Sequence, residues 1–90
     1  MTLWHIEFSE EAENDVESLD KAIRKRVFNT LERLETHFDD MVPMPLGGLW
    51  KGFFKLRVGD WRIIHKVRTI ENVLMIHYID RGDKIYKRKK

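Results

Sequence analysis

A change of hydrophobic period in mid-chain constrains the fold of this sequence more than any other feature. Ile23, Val27, Leu31, Leu34 and Phe38 recur at spacings of four, four, three and four, which places them on one stripe of a long helix. Residues 39 to 49 then gather Asp39, Asp40, both prolines and the pair Gly47-Gly48, a cluster that stops a helix and marks the longest loop. Beyond it the pattern alternates residue by residue. Phe53 to Val58, Trp61 to Val67 and Val73 to Ile79 read as strands, with turns at Gly59-Asp60 and Glu71-Asn72. Upstream of the helix, Trp4, Ile6 and Phe8 alternate with Leu3, His5 and Glu7, so residues 2 to 8 read as a half-buried strand. Ser9 is placed to cap a short helix reaching about Leu19, with Glu10 and Glu11 in the first turn, where the helix dipole favours negative charge. Asp20 reads as the cap of the longer helix, so the two helices form a hairpin joined at Leu19-Asp20. The expected fold class is α+β: an N-terminal strand, a helical hairpin and a three-stranded antiparallel meander, in the order β-α-α-β-β-β.

Ninety residues suit one small domain, 1–90, with a single modest core. At 42% hydrophobic and 36% charged, the chain is too apolar to be disordered and too charged to span a membrane. Glu7, Glu10, Glu11 and Glu13 interrupt any apolar leader, and with no cysteine there are neither disulfides nor thiolate ligands. The expectation is a cytoplasmic protein with no membrane partner.

The net charge of +2 conceals a polarity. Up to Pro45 the chain has five Lys/Arg against eleven Asp/Glu, and after it twelve against four. A strongly basic half points to a polyanionic partner. Alternation puts Phe54, Leu56 and Val58 on one side of the first meander strand and Lys55 and Arg57 on the other. The expected sheet therefore has a cationic face holding Lys55, Arg57 and Arg62, extended by Arg81 and His77 unless a bulge flips the last strand. The opposite face packs on the helices. Basic residues on exposed strands also protect sheet edges from pairing, the blander explanation for the same residues. No Gly-rich loop precedes a Lys-Ser or Lys-Thr pair, and the four histidines lie in different elements without ligand spacing, which disfavours a nucleotide loop and a metal hydrolase. No cofactor or metal is expected. His77 alone is a reserve acid or base, and Trp4, Trp50 and Trp61 read as core or loop anchors.

The run from Pro45 to Ile64, with Lys55-Leu56-Arg57-Val58-Gly59-Asp60-Trp61-Arg62 at its centre, resembles the RelE/ParE toxin superfamily. Phe8-Ser9, Ala12 and Leu19-Asp20 at the start and Asp80-Arg81 with Ile85-Tyr86 at the end fit the same pattern, so the resemblance covers nearly the whole chain. It implies a toxin of a type II toxin–antitoxin system, of RelE type: an endoribonuclease that cuts mRNA on the ribosome and is neutralised by a RelB-like antitoxin. Residue by residue, it implies that Lys55, Arg62, Arg81 and Tyr86 are catalytic, flanked by RNA-binding Lys51, Arg57, Lys84, Lys87 and Arg88. A second lysine two positions before Lys55 in the RelE-type site is Phe53 here, so part of the cationic charge is either missing or supplied by Lys51. Two other readings of the same fold stay open: a ParE-like inhibitor of DNA gyrase without nuclease chemistry, and a catalytically silent nucleic-acid-binding module.

Overall fold

The structure, a computed structural model, describes residues 3–88. Strand β1 (His5–Phe8) leads into helices α1 (Glu10–Ser18) and α2 (Lys21–His37), and strands β2 (Phe54–Val58), β3 (Trp61–Arg68) and β4 (Val73–Arg81) follow the long loop. The expected order of elements is met. Both helix caps also form as expected, Ser9 accepting from the Ala12 amide at 3.1 Å and Asp20 from the Ile23 amide at 3.0 Å. The Ser9 hydroxyl in turn donates to the His77 carbonyl at 3.0 Å, which pins the start of α1 to β4.

The four strands form one sheet in the order β1-β4-β3-β2. The meander is antiparallel, whereas β1 lies parallel to β4, with His5 opposite Val73 and Phe8 opposite Ile76. β1 starts at His5 rather than at residue 2 because β4 begins at Val73 and offers nothing earlier to pair with; Thr2 lies outside the described residues. Gly59 takes φ 59° at the β2–β3 turn, a left-handed conformation that favours glycine.

One face of the sheet packs on the hairpin. Ala12, Leu19, Val27, Leu31 and Leu34 meet Val58, Ile63, Leu74, Ile76 and Ile79 in the main core, so the apolar stripe of α2 is buried as its spacing requires. The opposite face departs from the expectation of an open cationic plane. Its centre, Ile64 and Tyr78, is covered by Trp50, Phe53 and Ile85, which form a second apolar cluster with Leu46 at its margin. The loop supplies most of this cover through a short 3-10 turn, Gly48–Trp50, and a second such turn, Ile85–Lys87, supplies the rest. A chain this small gains from burying both sides of its sheet.

A register shift between Ile64 and His65 sets the orientation of the last strand. His65 faces Ile76 and Ile64 faces Tyr78, which leaves His77 as the extra residue of a bulge. Leu74 and Ile76 consequently lie in the main core while Tyr78, of the same parity, lies in the outer cluster. The bulge also carries Arg81 to the other side. Arg81 stands opposite Trp61, whereas Arg62 stands opposite Asp80, so the expectation that Arg81 shares a face with Lys55 and Arg62 is corrected by the register.

Candidate nucleic-acid interface

The pairing of β2 and β3 builds the cationic corner. Arg57 lies directly opposite Arg62, and Lys55, one pleat along, lies opposite Ile64. All of them project to the face away from the helices, since their neighbours Leu56, Val58, Trp61 and Ile63 belong to the main core. Like charges placed directly across a strand pair are destabilising, so the Arg57–Arg62 pairing is no stability device. Arg62 is held from below: its Nη1 donates to the Gly59 carbonyl at 2.9 Å and to the Trp61 carbonyl at 2.8 Å. Its guanidinium also rests against Gly82, where an added Cβ would come within 3.3 Å of the Arg62 Cζ. The charge is thus fixed in place with donors to spare, since a guanidinium carries five.

Tyr86 joins this face through aromatic packing. Its ring, on a residue 42% exposed, meets Trp50 edge-on at 6.2 Å between centroids, and Trp50 meets Tyr78 in the same way at 5.6 Å. Tyr78 neighbours Ile64, which neighbours Lys55, so the phenol and the lysine stand on one face with the aromatic cluster between them. Sequence reasoning cast Trp50 only as an anchor. Its second role, a platform under Tyr86, depends on how the loop folds over the sheet and has no local signal. Phe53 is 5% exposed and packs against Trp50 and His77, with the Lys66 Nζ 4.4 Å above its ring. The residue that departs from the RelE-type pattern is therefore a core residue of the outer cluster.

The other expected cations divide. Lys51 is exposed on the loop, and Lys84 and Lys87 are exposed around the last 3-10 turn. Arg81 sits at the exit of β4, half exposed, with Asp83 3.6 Å away. Arg88, expected to bind RNA, is engaged within the fold. It pairs with Asp15 at 2.8 Å and Asp80 at 3.4 Å and lies over the Tyr78 ring at 4.7 Å. Burial works against its charge, but the hydrogen bond and charge of Asp15, reinforced by Asp80, outweigh it and raise its pKa. Asp15 also accepts the Ile79 amide at 2.9 Å, so one carboxylate ties α1, the part of β4 beyond its pairing with β1 and the C-terminal segment together.

Two histidines lie near the bulge. His65 is 4% exposed, stacks on Phe54 and is pushed down to a pKa of about 4, first by burial and then by His77. His77, the reserve acid or base, is also lowered: by burial, then by Lys66 and Arg68, against an opposing pull from Glu11. Both are neutral bases near pH 7. Among the described residues no cluster of three ligating side chains could hold a metal ion, and no helix is long and apolar enough to cross a membrane.

A mixed four-stranded sheet, a helical hairpin on one face and a cationic corner on the other define the class of small RelE/ParE-like toxins. The chain belongs to the ParE toxin family of type II toxin–antitoxin systems, the parDE type by its description, which matches residues 6–86. Solved structures repeat the fold. The RelBE2 toxin–antitoxin complex of Mycobacterium tuberculosis superposes with a TM-score of 0.78 at 21% identity, over 89% of this chain and 99% of that one. The DinJ–YafQ complex of E. coli gives 0.73 at 21% identity, over 94% and 99% of the two chains. The isolated E. coli RelE toxin gives 0.73 at 13% identity, over 93% and 92%. No curated protein matches the sequence significantly.

Proposed function

We propose that this toxin is a metal-independent endoribonuclease that cleaves mRNA on the ribosome and so stops translation in the cytoplasm, held in check by a RelB-like antitoxin. The observation that supports this reading is the Arg57–Arg62 pair with Lys55 beside it, like charges set directly across a strand pair on the face that presents Tyr86, with Arg62 fixed by the turn carbonyls. The chemistry is strand transesterification. The RNA 2′-oxygen loses its proton and bonds to the adjacent phosphorus, the bond from phosphorus to the 5′-oxygen breaks, and the 5′-oxygen takes up a proton. The products are a 2′,3′-cyclic phosphate and a 5′-hydroxyl. Arg62 stabilises the charge that grows on the phosphorane oxygens, a role suited to a side chain whose pKa is too high for proton transfer. Lys55 and Tyr86 are the proton carriers of the site, and the Tyr86 ring holds a base so that the 2′-oxygen lies in line. Arg81, on the other side of the strand, serves as a rim contact that binds RNA, together with Lys51, Lys84 and Lys87.

One observation favours the rival gyrase-directed reading: Phe53 is a buried core residue, and with Arg81 turned away the face has fewer cations than a RelE-type site requires. Pulse labelling after induction without antitoxin separates the two. An early fall in methionine incorporation with continued thymidine incorporation supports the nuclease. Loss of DNA supercoiling with intact mRNA overturns it.

A further inference from the structure

A second cationic surface lies around the edge strand, on α2. The groove between α2 and β2 encloses about 340 Å³ and is lined by Arg26, Asn29, Thr30, Arg33 and Arg57, with Val58 and Gly59 at its floor. Among the described residues none of these three arginines forms an ion pair. Arg26 is seated by the fold: its guanidinium lies so close to Gly59 that a Cβ there would be 2.7 Å from Nη2. Arg33 follows seven residues later, two helical turns along the same face and about 10 Å up the axis. Val58 is buried, so the exposed lining comes from Arg26, Asn29, Thr30, Arg33, Arg57 and Gly59.

We propose that this groove binds the phosphodiester backbone of RNA and carries the strand toward the cationic corner. The choice of RNA over other phosphate polymers rests on the nuclease reading above. Three chemical features select a phosphate backbone over a protein. An acidic protein segment needs an apolar centre to bind stably, and the groove offers no exposed apolar side chain. Arginine pairs with phosphate bidentately, and asparagine and threonine supply hydrogen bonds that position a backbone without reading bases. Arg26 and Arg33, about 10 Å apart along the helix, are far enough apart to hold different phosphates of one strand. Arg57 supplies continuity, because it lines the groove and also stands opposite Arg62, so the positive track turns around the edge strand onto the sheet. The acidic balance of the N-terminal half hides this surface from any count of charge by segment.

The test is fluorescence anisotropy with a short, fully 2′-O-methylated single-stranded RNA, which cannot be cleaved and so reports binding alone. The Arg26→Ala/Arg33→Ala variant is compared with Lys21→Ala/Lys25→Ala, which removes the same charge from the same helix outside the groove. The groove variant is expected to bind at least about tenfold more weakly, with the slope of log affinity against log salt reduced by about 1.4, or 0.7 per lost single-strand phosphate contact. The control should keep nearly wild-type affinity. Equal weakening of both variants would show only a net-charge effect and overturn the proposal. Unchanged RNA binding by the groove variant would also overturn it, and weakened antitoxin capture alongside would mark the groove as a protein interface. Cleavage of unmodified ribosome-bound mRNA by the wild type is scored separately. Its absence with the binding result intact sinks the nuclease reading and leaves the groove; its presence with normal binding by the groove variant does the reverse.

Discussion

Acid should destabilise this toxin through His65. The imidazole is buried on the helix side of the sheet against Phe54, its Nδ1 has no hydrogen-bond partner among the described residues, and His77 stands nearby as a second positive charge on protonation. The folded state therefore takes up its proton only near pH 4, whereas the unfolded chain takes it up near 6.5. Between those values the unfolded state holds more protons, so stability is complete above about pH 6.5 and falls as pH drops toward 4. At 1.36 kcal/mol per pH unit the full interval is worth about 3 kcal/mol, and about 2 kcal/mol is already lost by pH 5. His77 adds in the same direction, since its pKa is lowered too. The assay is urea unfolding followed by tryptophan fluorescence at pH 7.5, 6 and 5, on the wild type and on His65→Gln. The wild type should lose urea resistance at each step, and the variant, less stable at pH 7.5, should show a much flatter dependence. An equal pH slope in the two proteins would refute the assignment and move the acid sensitivity to other groups.

Other consequences follow from single contacts. Asp15→Ala strips the Ile79 amide and Arg88 of their shared acceptor at once and should lower unfolding free energy by about 2–3 kcal/mol in urea titrations, while the exposed Glu17→Ala changes little. Phe53→Lys, which restores the RelE-type lysine, places a charge in the outer cluster and removes a buried ring; it should cost at least about 3 kcal/mol by the same measurement and fail to raise cleavage activity. Gly82→Ala sets a methyl group 3.3 Å from the Arg62 Cζ and should slow cleavage several-fold by displacing the guanidinium, without unfolding the protein, as judged by circular dichroism and single-turnover rates.

What could be read from the sequence were the features specified locally. Ser9 and Asp20 announce both helices because a cap needs only its own turn, and the stripe from Ile23 to Phe38 fixes the buried face of α2 through spacing alone. The faces of β2 and β3 were also legible, since Leu56 with Ile63 and Arg57 with Arg62 follow from simple alternation. Properties that depend on distant segments were not. The extra residue at His77 reverses the parity of β4 beyond it, and no local signal in Ile76-His77-Tyr78 distinguishes a bulged strand from a regular one. Trp50 reads as a core or loop anchor and Phe53 as the start of a strand; that both cover the outer face depends on Tyr78 and Ile64, which leave an apolar surface there. Arg88 belongs by composition to a basic tail and by structure to Asp15, 73 positions away. Arg26 and Arg33 give no signal in the sequence because their half of the chain is acidic on balance.

The central claim is that a fixed cation on the outer sheet face, Arg62, drives transesterification of ribosome-bound mRNA. Single-turnover cleavage at saturating ribosomes tests it most directly, with the ends of the upstream fragment identified chemically. The account predicts 2′,3′-cyclic phosphate ends from the wild type, a rate about a hundredfold lower for Arg62→Ala, and a nearly unchanged saturated rate for Arg81→Ala. Wild-type speed in Arg62→Ala, or mRNA left intact while gyrase loses supercoiling activity, would contradict it.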